Sequence, residues 1–192
     1  MTILDFPSVR ITPEQLLEYP DNGGMELVDG QIVEKPVSEE SSAVEIYLGG
    51  KLAIYAAHTK TARVYSQGLG YRCFGHSVGD SDRIRKPDCS VIALKRVHAL
   101  PVPIPGYMPI VPDLAIEVLS PNDVLSDVVA KVREYRQAGF PLVWIVEPMD
   151  QTVTVYPNPG KPFLLNADDE VRAEAALPGF VCRVADLFPP RD

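Results

Sequence analysis

The stretch Pro112-Asp113-Leu114-Ala115-Ile116-Glu117-Val118-Leu119-Ser120-Pro121 sets one carboxylate, Glu117, inside an apolar run of strand length. A carboxylate in the middle of a buried strand is costly unless it is paired, protonated or bound to a cation. A second run of the same kind, Cys89-Ser90-Val91-Ile92-Ala93-Leu94, is headed by Pro87-Asp88. On neighbouring strands, Asp88 and Glu117 would form an oxygen-rich pocket suited to a hard divalent cation such as Mg²⁺, and metal-assisted phosphodiester hydrolysis is the first chemistry to consider. Pairing of Glu117 with Lys or Arg, or an edge strand that turns it to water, would explain the same run.

Outward from Glu117, Ser120-Pro121-Asn122-Asp123 has the form of a helix start with Ser120 as N-cap. Val124, Leu125, Val128, Val129, Val132 and Tyr135 give that helix an apolar face, which Gly139 and Pro141 bring to an end. Leu142-Val143-Trp144-Ile145-Val146 is continuous and apolar, as suits a strand buried on both faces, so strand, helix and strand form a crossover unit if the strands are parallel. Thr152 to Tyr156 reads as its hairpin partner, with an edge strand at Phe163–Leu165 and a terminal cap at Phe180–Phe188. On the other side, Leu100–Pro112 carries five prolines and reads as a stiff, exposed connection. Strands are expected over Arg63–Gln67, Gly70–Phe74 and Asp88–Leu94, with a polar turn at Gly75–Asp82. Ser38 to about His58 has helical spacing, but Gly49-Gly50 in its interior is unfavourable and suggests close contact with another backbone. Asp29-Gly30 between Met25–Val28 and Gln31–Glu34 marks a tight hairpin. Thr12-Pro13-Glu14-Gln15 opens a short helix that should stop near Tyr19-Pro20.

With 192 residues, 46% hydrophobic and 23% charged, the chain is long enough for a real core and is expected to form a single domain over residues 1–192. No apolar stretch is long enough to span a bilayer, and Met1–Arg10 lacks the basic and apolar regions of a secretion signal. Cys73, Cys89 and Cys182 are scattered singly and the three histidines lack ligand spacing, which argues against zinc and for a reduced, cytoplasmic protein. The net charge of −8 runs against nucleic-acid binding, although Arg83, Arg85, Lys86 and the set Lys131, Arg133, Arg136 offer local basic rims.

Phosphodiester cleavage also requires a cation near the carboxylates. The same-face position two residues after Glu117 is Leu119, so Lys131 on the following helix is the substitute, with Lys86 a weaker candidate. On the sequence alone, an exposed i,i+4 pair of Lys131 with Asp127 explains the residue more simply. Glu26, between Met25 and Leu27, either completes the metal shell or reflects simple alternation in the hairpin. Gln67 either contacts phosphate or caps a strand, and Tyr135 falls on the apolar face of its helix. No GxSxG, phosphate-binding glycine loop or dinucleotide fingerprint is present.

Glu26-Leu27-Val28-Asp29-Gly30, Lys86-Pro87-Asp88, the Pro112–Pro121 stretch, Lys131 with Tyr135, Ala138-Gly139-Phe140-Pro141, Trp144-Ile145-Val146 and Leu177-Pro178-Gly179-Phe180 resemble, in order, the Uma-two family. That family lies within the PD-(D/E)XK restriction-endonuclease-like superfamily. The resemblance implies an α/β fold with a restriction-endonuclease-like core, a central mixed β-sheet flanked by α-helices. It implies Mg²⁺ or Mn²⁺ held by Asp88 and Glu117, with Glu26 in support, Lys131 as the displaced lysine, and DNA as substrate of a dimeric endonuclease. Members of the family often carry a histidine early in the first long helix, where this chain has Ser41. A catalytically silent nucleic-acid-binding or homo-oligomeric module with the same fold is the alternative.

Overall fold

A computed structural model of the chain describes residues 10–74, 82–101, 104 and 106–190. The expectations for the first nine residues, for the turn over 75–81 and for Pro103 and Pro105 lie outside the described residues.

Six strands form a mixed sheet: β3 (Ala62–Ser66), β4 (Cys89–Ala93), β5 (Leu114–Val118), β6 (Leu142–Glu147), β7 (Thr152–Pro157) and β8 (Phe163–Leu165), lying side by side in that order. Only β5 and β6 run parallel, and helix α4 (Leu125–Gln137) links them. The largely apolar β6, with Val143, Ile145 and Val146 β-branched, is buried on both faces, as a central strand between two layers must be. On one face Ile116, Val118 and Trp144 pack with Val44, Leu48 and Leu52 of helix α2 (Glu39–Thr59). On the other, Ala115 and Val143 pack with Val132 and Tyr135 of α4, beside Phe74 and Phe140. The sheet is thus flanked by helices on both faces, and its residues alternate between two cores.

A separate hairpin, β1 (Met25–Val28) and β2 (Gln31–Glu34), turns at Asp29 and Gly30, whose φ values of 52° and 78° are what a tight two-residue turn requires. It docks on the segment ahead of β4 through reciprocal bonds of 2.9 and 2.8 Å between Leu27 and Ile84. A second hairpin, β9 (Glu170–Arg172) with β10 (Val181–Arg183), and the turn of 3-10 helix after it cap the α2 side through Phe180, Val184, Leu187 and Phe188. Helix α1 (Pro13–Leu17) has the expected capping box between Thr12 and Gln15. The short helix α3 (Leu94–Val97) follows β4 directly.

Three expectations are corrected. Helix α4 starts at Leu125 rather than at Ser120, because Asp123 accepts from the Ser120 N–H at 2.7 Å and closes a local turn first. Val124, Leu125 and Val129 are consequently exposed, and the buried face narrows to Val132 and Tyr135. Gly70–Phe74 is not a strand: Tyr71 alone bridges Arg85 and Met108. The chain passes so close there that a Cβ on Gly70 would lie 2.7 Å from the Tyr107 ring. For the same reason the proline-rich connection is not simply exposed. Met108 is buried, and Ile104, Ile110 and Val111 pack against the α4-side core. Among the described residues no helix is long and apolar enough to cross a membrane.

Candidate active site

The antiparallel register of β4 and β5 sets Cys89 opposite Ile116, and therefore Asp88 opposite Glu117. Alternation turns both carboxylates toward the α4 side, because Ser90 and Ala115 share that face while Cys89 and Ile116 face α2. The Val118 N–H donates to Asp88 Oδ2 at 2.7 Å and locks one oxygen of the pair. The other, Asp88 Oδ1, accepts from the Lys35 ammonium, which also lies 3.3 Å from Glu117 Oε2 and donates to the Lys86 carbonyl at 3.0 Å. Lys35 follows β2 directly, so the hairpin delivers it between the two strands.

Lys131 reaches Glu117 rather than forming the surface pair with Asp127. One turn and a half into α4, its ammonium donates to Glu117 Oε2 at 2.8 Å and lies 3.0 Å from Glu26 Oε1. Tyr135, one turn further on, donates its hydroxyl to Glu117 Oε1 at 2.6 Å while its ring stacks on Phe140. The residue thus serves both core and site. Glu26 is buried and accepts from the Lys86 backbone N–H and from Arg85, each at 2.8 Å. Arg85 is shared with Glu134, which also lies 3.6 Å from Arg83. Four carboxylates (Glu26, Asp88, Glu117, Glu134) thus interlock with four cations (Lys35, Arg83, Arg85, Lys131).

The charges set one another's protonation. Burial opposes ionisation of Glu26, but Lys131, Arg85 and Lys35 outweigh it and hold its pKa down to about 2. Burial pushes the Asp88 pKa up, against the pull of Lys35. Burial would likewise discharge Lys35, yet Glu117, Asp88 and Glu26 hold it firmly protonated. Glu45, one turn and a half into α2, sits on the far side of Asp88, and burial together with the Asp88 charge lifts its pKa to about 7.

Of the residues singled out from the sequence, Asp88, Glu117, Lys131 and Glu26 come together. Lys86 does not: its backbone N–H serves Glu26, and its ammonium turns away to the carbonyl and side chain of Asn22. Gln67 lines a cleft between α2 and β3 that ends on Asp88, and Ser41 is spent on the capping box with Ser38. The basic rim is largely internal, since Arg83 and Arg85 are paired with Asp29, Glu26 and Glu134. Lys35 and Glu45 were missed. The signal for Lys35 was indirect: buried carboxylates demand nearby cations, and Lys35 directly follows the hairpin strand paired with the one that carries Glu26.

Between the hairpin and α4 lies a cavity of about 240 Å³ that opens onto Asp88 and Glu117 and is walled by Val33, Leu119 and Val128, with Asp123 and Asp127 on its rim. Among the described residues no three His, Cys, Asp or Glu side chains gather as a metal-ligand group. The donor set nonetheless fits a hard divalent cation. Asp88 Oδ1 and Glu117 Oε2 converge on one ammonium, and Mg²⁺ commonly takes one or two carboxylates, completing its shell with water and phosphate oxygens.

A family model described as "Uma2: Putative restriction endonuclease" matches residues 13–185. No protein of curated function matches. Among solved structures, the crystal structure of "a putative nuclease belonging to DUF820" from Anabaena variabilis ATCC 29413 superposes with a TM-score of 0.75 and 25% identity, over 93% of this chain and 97% of that one. A match over most of the length, with the same fold, settles the family: this chain belongs to the Uma2 family.

Proposed function

We propose that this protein is a metal-dependent endonuclease that hydrolyses phosphodiester bonds in DNA, working as a single-domain, cytoplasmic homodimer. The observation that carries the reading is the pair Asp88 and Glu117, opposed across β4 and β5 with one oxygen of each aimed at the same point. These two residues would hold Mg²⁺ or Mn²⁺, which when bound supplies a Lewis acid for the phosphate and lowers the pKa of a bound water. Lys131 would neutralise charge gathering on the phosphoryl oxygens or position the attacking water, taking the place left vacant at Leu119. Glu26 fixes Lys131 from the far side, and Tyr135 fixes the rotamer of Glu117. Lys35 occupies the point on which the two carboxylates converge, so a metal held by them would have to displace its ammonium.

The balanced charge of the cluster favours a second reading, a catalytically silent nucleic-acid-binding or oligomeric module in which the carboxylates are structural. Incubation of supercoiled plasmid and of single-stranded DNA with the protein in Mg²⁺, in Mn²⁺ and in EDTA separates the two. Metal-dependent nicking that Asp88→Ala abolishes supports the enzyme. DNA left intact in every metal by the wild type supports the silent module.

A further inference from the structure

Helix α2 is 21 residues long, and Val44, Leu48, Leu52 and Ala56 bury its inner face. Its outer face is apolar as well. Ala43, Ile46, Tyr47, Gly50, Ala53, Ile54 and Ala57 form an uncharged stripe, with Ile46 77% and Ile54 75% exposed. A helix bounded by water on one side ordinarily carries charge there, and one that is apolar all round is normally covered.

Gly50 sharpens the point. A glycine in mid-helix costs about 0.5–1 kcal/mol relative to alanine. Among the described residues nothing requires it, since a Cβ at Gly50 would meet no atom within 4 Å. The close backbone contact expected for this pair of glycines is therefore not made by Gly50 within the described chain. A neighbour approaching from outside would profit from the missing side chain.

The stripe is also close to a palindrome about Gly50, with two of its three residue pairs identical. Isoleucine stands four residues to either side (Ile46, Ile54) and alanine seven to either side (Ala43, Ala57), while Tyr47 at minus three answers Ala53 at plus three. Antiparallel pairing of two identical helices about a two-fold axis brings Ile46 of one copy to Ile54 of the other and sets each Tyr47 on the partner's Ala53. An isologous interface requires such self-complementarity. The spacing of the stripe is also that of a helix–helix seam. A nucleic acid would require Lys or Arg along the stripe; its own residues carry no charge, and Lys51, whose ammonium lies 5.5 Å from the centre of the Tyr47 ring, stands at its edge.

We infer that the outer face of α2 is the homodimer interface of this protein, with the two-fold axis passing at Gly50. The inference rests on the homodimer part of the function proposed above and not on the cleavage part. The partner would also cover the mouth of the cleft between α2 and β3, lined by Glu45, Ile46 and Gly49 and ending on Asp88. The cavity between α4 and the β1–β2 hairpin then remains as the approach to the carboxylates.

Sedimentation velocity of the full chain at micromolar concentrations, on wild type, Ile46→Arg and Ile54→Arg, tests this, with thermal melts confirming that each variant folds. A dimeric wild type with monomeric, folded variants is expected. A wild type that is monomeric throughout overturns the homodimer reading and the interface together. A dimeric wild type whose Ile54→Arg variant stays dimeric overturns the interface alone. Gly50→Cys tests the axis. Helix axes about 8–10 Å apart, with Cα atoms about 2.3 Å off each axis, bring facing Cα atoms to about 3.4–5.4 Å, which overlaps disulfide range. Oxidation should link this variant, and not wild type, into a covalent dimer. An unlinked variant overturns the placement at Gly50.

Discussion

Replacing Lys35 by methionine removes a buried cation with little change in volume. Its ammonium contacts Asp88 Oδ1, Glu117 Oε2 and the Lys86 carbonyl, and its side chain is only 10% exposed. Glu117 keeps Lys131 and Tyr135 in the variant, whereas Asp88 keeps only the Val118 N–H. Breaking one side of a buried pair costs about 3–5 kcal/mol. The adjoining cavity admits water to Asp88, so the lower end, about 3 kcal/mol, is expected for the metal-free protein. For a chain of this length that is about 6–12 °C in Tm. The uncompensated carboxylate should also bind a divalent cation more tightly, because a competing unit charge at about 4 Å is worth up to about 4 kcal/mol at an effective dielectric near 20. An increase in Mn²⁺ affinity of at least about tenfold, or about 1.4 kcal/mol, is the modest expectation. Scanning calorimetry in EDTA and titration calorimetry with Mn²⁺ read the two effects on the same preparation. A variant with unchanged Tm and unchanged Mn²⁺ affinity would refute the claim that Lys35 holds the place of the metal.

Two further outcomes follow from single residues. Tyr135→Phe keeps the stacked ring but removes the donor to Glu117 Oε1, and urea unfolding should register a loss of about 1.5–3 kcal/mol, as for a hydrogen bond to a charged group. Glu45 has a folded pKa raised by burial and by Asp88 to about 7 against an ordinary 4.5, so its contribution to stability is fully present below 4.5 and is lost as pH rises to about 7. The full shift would be worth about 3.4 kcal/mol. The group is partly solvated, and screening reduces that to about 1 kcal/mol. In EDTA, Glu45→Gln should flatten the fall in stability between those pH values by that amount, and an unaltered pH profile would contradict it.

Much of the fold was legible because its signals are local. Asp29-Gly30 specifies its turn, the apolar run at Leu142–Val146 specifies a strand between two layers, and Gly139 ends α4 as read. The start of α4 was misread because Ser120 and Asp123 satisfy a turn as readily as a helix cap, and the sequence does not say which closes first. The Tyr71 crossing was misread as a strand because its partners, Arg85 and Met108, come from two distant segments. In the site, Asp88 and Glu117 announced themselves as carboxylates out of place in apolar runs, and Lys131 followed from the vacancy at Leu119. Lys35 and Glu45 carried no such mark. Each is an ordinary charged residue at the end of a strand or on a helix, and only the docking of the hairpin and of α2 brings it near Asp88.

Whether Asp88 and Glu117 form a site for a divalent cation is tested, without any assumption about the nucleic acid, by calorimetric titration of Mn²⁺ into wild type, Asp88→Ala and Glu117→Gln. Saturable binding to the wild type that both variants lose is expected. Absence of binding to the wild type, or binding that survives in both variants, would contradict it and leave the carboxylates as members of a structural ion-pair cluster.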